Sequence, residues 1–441
     1  MNASYPAQRP GVFHGDCRQD GATFSDATVI ARGLATGSLG CLLGLLLGAG
    51  AWAGEVDTPT AEASADQPFS LQQALKLPDW LRVSISYTAE PMANPIGGAA
   101  QTSAWIQDTD LDLQVGAGLG KASTDWVELD HWSLNLNVNH VAGDVSYAGR
   151  IGAFLAPQTL AYPAGFYPTE LSLERDAGTS WIGLRAGVIP INSDFDGTLM
   201  TAPILDSYVH SALNNTYNIY AGNIPVTPFS ALAARLDLHP HESLAVYYGW
   251  FDLKTAIPVI TSLGAPVNLT PTKVGDAHIL QLNYTPKGAV AATPTLPAEL
   301  LSVGGFTTDF QGEGVYGSAT WKSGLRLGLD DRVWIGAAYS PNFSLNQAPS
   351  FIGGGVVVQG VVPNRPQDLL ILGGSHAGLS SSAPPAYPNR PYEGVLELGY
   401  RLQLNPNLNL QPTLQWIFDP SGREQPTPGI LTTSVQISLS L

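Results

Sequence analysis

Residues 393–404 read EGVLELGYRLQL, and the order of apolar and polar residues in this stretch decides the fold. Even positions carry Gly394, Leu396, Leu398, Tyr400, Leu402 and Leu404; odd positions carry Glu393, Val395, Glu397, Gly399, Arg401 and Gln403. In an extended strand successive side chains point to opposite faces, so one face is apolar and the other holds charges and amides. The next segment repeats the pattern, with Leu408, Leu410, Pro412, Leu414, Trp416 and Phe418 against Asn409, Gln411, Thr413 and Gln415. The last segment sets Leu431, Val435, Ile437, Leu439 and Leu441 against Thr432, Ser434, Gln436, Ser438 and Ser440. Working outward, Leu81, Val83, Ile85 and Tyr87 alternate with Arg82, Ser84, Ser86 and Thr88. Trp132, Leu134, Leu136 and Val138 alternate with Ser133, Asn135, Asn137 and Asn139. Weaker copies run through 111–118, 144–155, 181–190, 231–239, 244–253, 278–284, 315–329 and 332–340.

About sixteen such segments, many of about ten residues and separated by Gly, Pro, Asn and Asp, match the pattern of a strand-crossed membrane barrel. A soluble sandwich also alternates, but its outer face is usually rich in Lys and Glu. Here the polar face is mostly Ser, Asn, Gln and Thr, and Trp80, Tyr87, Trp132, Tyr400, Trp416 and Phe418 stand at strand ends, where membrane interfaces gather aromatics. The predicted fold is therefore all-β: a closed antiparallel transmembrane β-barrel of about 16 strands, an outer-membrane porin in architecture, over residues 80–441. Barrels of this size leave an aqueous channel.

Composition agrees. Of 441 residues only 13% are charged, and 47 Gly with 34 Pro disfavour long helices. A formal net charge of -16, from 20 Lys+Arg against 36 Asp+Glu, excludes a phosphate-neutralising nucleic-acid surface. The one long apolar run, Gly33 to Ala53, has Leu42, Leu43, Leu45, Leu46 and Leu47 at its centre and closes on Ala51-Trp52-Ala53, the small-x-small pattern of a cleaved signal. Residues 1–53 are thus expected to be a signal peptide, with an over-long start, and 54–79 a short periplasmic or plug segment. Cleavage would remove Cys17 and Cys41, the two cysteines of the chain, and with them any disulfide, cysteine-ligated metal or cysteine nucleophile. No other stretch reaches the ~18 apolar residues of a membrane helix.

Several separated motifs resemble the carbohydrate-selective porin family (OprB type). They are SYTAEPMANPIGG (86–98), IPVTPFSALAARLDLHP (224–240), RPQDLLILGGS (365–375) with its Arg-Pro-x-Asp strand start, and YEGVLELGYRLQLNPNLNLQPTLQWIFDPSG (392–422). The resemblance spans most of 80–441 and implies a sixteen-stranded outer-membrane barrel passing sugars by diffusion. It departs from the family in ending on Leu441 where an aromatic is commoner, and it looks like a cyanobacterial short form without an N-terminal envelope-anchoring domain.

A pore that discriminates sugars needs amides or charge pairs for hydroxyls and flat apolar surfaces for ring faces. The expected pore-lining residues are Arg185, Asp194, Asp196, Arg235, Glu393, Glu397, Arg401, Gln403, Gln411 and Gln415. The long segment between Pro190 and Tyr217, with Asp194, Asp196, Asp206 and Tyr208, is the candidate for a loop folded into the lumen. Asp194 or Asp196 is expected to face Arg185, Arg235 or Arg401 across the constriction; the alternative is that these charges pair along the wall.

Other motifs fail on their own chemistry. GLGKAS (118–123) has Val115 where a phosphate loop needs its first glycine. Asp108, Asp110 and Asp112 resemble a calcium loop, but Leu113 and Leu119 replace its glycine and glutamate. His239-Pro-His241-Glu242 reads as a polar turn, and no G-x-S-x-G elbow occurs. The expected function is passive, sugar-preferring diffusion, with a general or cation-selective porin of the same fold as alternative, since net negative charge favours cations. No catalysis, cofactor or metal is expected. The expected partners are outer-membrane lipid and mono- or oligosaccharides in transit, with a homotrimer as the assembly common among porins. An adhesin is disfavoured because 255–275 and 287–311 are poor in aromatics.

Overall fold

The computed structural model describes residues 69–116, 131–175, 181–193, 195, 207–214, 226–255, 257–261, 266–268, 275–293, 295–309, 312–325, 328–382 and 391–441. Sixteen strands close into one antiparallel barrel. They are β1 (Leu81–Ala89), β2 (Ile106–Val115), β3 (Trp132–Gly143), β4 (Gly165–Arg175), β5 (Ile182–Ile189), β6 (Ala231–His241), β7 (Leu244–Asp252) and β8 (Asp276–Tyr284). The circuit continues through β9 (Leu300–Thr308), β10 (Gly312–Trp321), β11 (Asp330–Tyr339), β12 (Ser350–Gln359), β13 (Leu369–Gly378), β14 (Tyr392–Asn405), β15 (Leu408–Phe418) and β16 (Ile430–Ser440). Each pairs with its sequence neighbours, and β1 meets β16 with Ser86 opposite Ser440 and Ala89 opposite Ile437, so no edge is left unpaired. Short strands Met92–Ile96 and Ser103–Ala104 prolong the β1 edge, and Pro258–Thr261 with Pro266–Asn268 form an added hairpin beside β4.

The burial pattern is the reverse of a water-soluble protein. On β14 the outward Leu396 and Leu398 are about half exposed, while the inward Glu393 and Glu397 are buried to 1%. The same holds around the barrel, where Leu173, Leu280, Leu301, Val303, Val315, Ile352, Leu372 and Leu414 stand exposed. Exposed leucines this numerous satisfy the chain only where hydrocarbon covers them. Exposed aromatics mark both rims: Tyr284 and Trp321 at the end holding both barrel termini, and Phe166, Tyr339, Trp416 and Phe418 at the other.

Two-residue turns (242–243 and 406–407) join strands at the terminal end, whereas 144–164 and 190–230 are long connections at the far end. The alternation read at 144–155 is not a strand. It is a helix, α1 (Tyr147–Ile151), running into an inserted segment; Tyr147, Ile151, Ala153 and Leu155 are buried. Apolar residues that pack on the inner wall imitate the period of a strand that faces lipid. Segment 207–214 is also inserted, with its helix α2 (Ser211–Asn214). Its Tyr208 lies against β12 and β13, and a Cβ on Gly355 would come within 2.2 Å of the Tyr208 hydroxyl, or on Gly373 within 2.4 Å of the ring. Only glycine leaves room for that ring.

Leu398→Arg, placed near the middle of the outward face, should destabilise the refolded barrel by about 2–4 kcal/mol. Urea unfolding in detergent or lipid measures this, and an unchanged midpoint would show that the face does not contact hydrocarbon.

Candidate functional site: a divided inner wall

Among the described residues two parts of the inner face differ in character, and a buried apolar cluster with Ile189, Phe251, Ile279, Phe306 and Tyr316 lies between them. Over β11–β16 and the end of β1 the face is covered by the two inserts. Glu393 accepts the backbone N–H groups of Phe154 (2.8 Å), Leu155 (2.7 Å) and Ser421 (2.7 Å). Glu397 accepts those of Val209 (2.8 Å) and His210 (2.7 Å). Glu90, wholly buried just after β1, accepts from Thr159 Oγ1, Leu160 N–H and Gln436 Nε2. Gln411 and Gln415 donate to the carbonyls of Ser207 (2.6 Å) and Pro157 (3.0 Å). The inserts are tied to each other by the Ser211 N–H on the Ala156 carbonyl (3.1 Å), and Trp334 Nε1 donates to Tyr208 Oη (3.0 Å). Below them lies an apolar cluster that includes Tyr147, Ile151, Tyr208, Val209, Trp334, Ile371 and Val395.

Four of the expected pore-lining residues, Glu393, Glu397, Gln411 and Gln415, face inward, are buried at 0–1% exposure and bond the inserts. Strand parity gives the face, and the covering segment comes from far away in sequence. Arg401 and Gln403 stay partly exposed on the same strand nearer the terminal end, with Arg401 Nε on Gln411 Oε1 (2.8 Å) and Gln403 Nε2 on the Asn405 carbonyl (2.7 Å). The RPQD segment closes that end: Arg365 pairs with Asp368 (2.7 Å), which also accepts from Tyr400 Oη (3.0 Å) and the Gln403 N–H (3.0 Å).

The other part, on β1–β6, is a belt of side-chain hydrogen bonds. Arg82 Nη1 reaches Gln114 (3.4 Å), Gln114 donates to Asn135 (3.1 Å), and Asn135 donates to Glu174 (3.3 Å). Arg235 then bonds both Glu174 (3.0 Å) and Asp237 (2.6 Å). A parallel rung joins Ser86 to Asp110 (3.3 Å) and Asn137 to Asp112 (2.7 Å), while Arg185 meets Glu170 (2.5 Å). Arg185 and Arg235 are thus brought onto one wall and paired along it. The partners expected across the lumen, Asp194 and Asp196, lie outside the described residues, as does Asp206. The belt's other members, Arg82, Asp110, Asp112, Asn137, Glu170, Glu174 and Asp237, were missed among the expected lining residues, although their strand parity carries the signal. The Asp108-Asp110-Asp112 spacing is that of alternate strand residues on one face, not a metal loop.

Side chains of this kind offer donors and acceptors in a row, which suits a solute made of hydroxyl groups. The barrel and its polar wall give the chain the architecture of a porin. Residues 332–441 match the family model of the carbohydrate-selective porin, OprB family. The chain is also similar to the high-pH structure of Pseudomonas putida OprB, at 15% identity and a TM-score of 0.68, over 84% of this chain and 96% of that one. The low-pH structure of the same protein matches at 13% identity and a TM-score of 0.52, over 84% and 95%. At these identities the likeness is one of fold. No curated protein sequence matches.

Glu397→Ala should leave two N–H groups of the 207–214 insert without acceptors, weakening its docking by about 2 kcal/mol or more. Faster proteolysis within the insert and a larger single-channel conductance would show it; an unchanged cleavage pattern would refute the anchor role.

His210 gives a pH expectation. Burial pushes its imidazole down to about 3, and its Nδ1 accepts the Ala212 N–H (3.2 Å), so the docked ring is neutral. The Glu397 carboxyl accepts the His210 backbone N–H (2.7 Å). An undocked ring would take a proton near its ordinary pKa of about 6.5, so docking loses stability as pH falls from there toward 3. Lowering the pH from 7 to 5 should increase cleavage within 207–214 in the native chain and less in His210→Phe. Equal responses in the two proteins would exclude His210 as the cause.

Proposed function

We propose that the barrel passes carbohydrates and other small polar solutes across the outer membrane by passive diffusion, with a preference for sugars. The observation that carries this reading is the hydrogen-bonded belt from Arg82 to Asp237, set beside a wall covered by inserts. A belt whose groups bond one another can exchange partners with a hydroxylated solute at little net cost. Its bonds to a sugar are replacements rather than additions, so binding stays weak and release fast, as conduction requires. The family match over 332–441 supports a sugar as the solute. The same reading places residues 1–53 as an export signal and holds the chain to be a channel without catalysis.

A second reading, a general or cation-selective porin, is favoured by the excess of carboxyl groups on the belt, where Asp110, Asp112, Glu170, Glu174 and Asp237 outnumber Arg82, Arg185 and Arg235. Planar-bilayer recordings with glucose or maltose separate the two. Sugar preference predicts that added sugar blocks ion current in a saturable way, whereas a general porin shows only the change in bulk conductivity.

Arg185→Ala combined with Arg235→Ala would leave Glu170, Glu174 and Asp237 without their cations. The cation-to-anion permeability ratio should then rise by about threefold or more, and sugar-induced block should weaken. Reversal potentials in a salt gradient measure the ratio, and no shift would remove both arginines from the solute path. In Arg401→Ala channels, unchanged sugar rates and unchanged ion selectivity would remove Arg401 likewise.

A further inference from the structure

Arg332, on the inward face of β11, is buried to 0% exposure, and its donors do not face the channel. Nε donates to the Pro297 carbonyl (2.8 Å) and Nη2 to the Ala291 carbonyl (3.2 Å). Nη1 donates to the Asp331 carbonyl (2.7 Å) and to Asp330 (3.0 Å). A guanidinium this deep is tolerated only when its fork is filled, and here two of its partners belong to a segment from elsewhere in the chain.

That segment, 285–299, joins β8 to β9 at the terminal end, where the turns 242–243 and 406–407 need only two residues. It folds back on itself. Thr293 N–H donates to the Leu296 carbonyl (2.7 Å), Leu296 N–H to Thr293 Oγ1 (3.0 Å), and Glu299 N–H to the Val290 carbonyl (3.0 Å). Glu299 in turn accepts the N–H groups of Val290 (2.8 Å) and Lys322 (2.8 Å), and Thr295 Oγ1 reaches Gln359 (2.9 Å). At the tip Leu296 is wholly buried, in the same apolar cluster as Tyr208, Val209, Trp334, Val357 and Ile371. Trp334, Val357 and Ile371 are inward residues of β11–β13, so Leu296 lies inside the barrel.

We infer that residues 290–293 and 295–297 form a second narrowing of the solute path, entering from the end opposite the 207–214 insert, with Arg332 as the positioning residue. This rests on the porin reading and adds to it where the path is restricted. The two insertions come from opposite rims yet share one apolar cluster. The size limit of a solute is then set at the terminal end as well as by the long connections. The tip sequence, Leu296-Pro297 preceded by the Thr293 turn, is short and internally bonded, which makes it a fixed restriction rather than a moving gate.

The test replaces 292–297 with Gly-Ser in the full-length protein and, in a second variant, makes Arg332→Gln. Both are reconstituted in planar bilayers and in liposomes, with heat-modifiable gel migration as the check on barrel folding. The expected result is a single-channel conductance roughly twofold higher and faster swelling with trisaccharides relative to glucose. Folded variants with native conductance and native size limit would overturn the inference. If Arg332→Gln does not fold, the shortened variant decides alone. Native channels that pass neither ions nor sugars overturn the porin reading and this inference together, whereas conducting native channels with unchanged variants overturn this inference only.

Discussion

A backbone placed in hydrocarbon has no outside partner for its N–H and C=O groups, and every feature of this chain follows from that constraint. The sixteen strands satisfy one another, and the ring closes where Ser86 meets Ser440. With the outer face given over to Leu, Val and aromatics, polar chemistry has one place left to act, the interior. A closed barrel of this width cannot fill its interior from its own wall residues alone. Long connections must therefore enter, and each that enters carries its own unpaired backbone groups.

The buried glutamates answer that second requirement. Segments 153–160 and 207–214 lie on the wall without a strand's ladder, so their N–H groups need acceptors from the wall itself. Glu90, Glu393 and Glu397 supply them, each taking at least two hydrogen bonds. Gln411 and Gln415 supply donors for insert carbonyls. Wall residues that read as pore chemistry act as mortar. The same division explains Arg332, whose fork serves carbonyl oxygens at the opposite rim.

How much of this was legible in the sequence depends on the range of the interaction. EGVLELGYRLQL declared its two faces because strand parity is local, and the outward Leu396 and Leu398 and inward Glu393 and Glu397 stand where parity puts them. About sixteen strands could be counted for the same reason. The stretch 144–155 misled because Tyr147, Ile151 and Leu155 face a wall instead of lipid, and both environments select apolar residues. The role of Glu393 was hidden because its partners, Phe154 and Leu155, lie 239 and 238 residues away. Parity shows that a side chain points inward; it carries no information on what arrives to cover it. Asp110 and Asp112 show the converse, since their parity already placed them on the inner wall.

The two parts of the interior depend on each other. If the inserts were spread evenly around the wall, their apolar undersides would interrupt the run from Arg82 to Asp237, and no continuous row of donors and acceptors would survive. Tyr208, Val209 and Leu296 share one cluster with inward residues of β11–β15, and the belt residues of β1–β6 keep their amides and charge pairs beside it. Arg185 and Arg235 can then be neutralised in part by their neighbours along the wall, Glu170, Glu174 and Asp237. Charges paired in this way keep a polar surface while limiting the net field on any one solute. A neutral, hydroxyl-rich molecule is the class that gains most from such a wall, because its contacts are hydrogen bonds and its passage carries no desolvated charge.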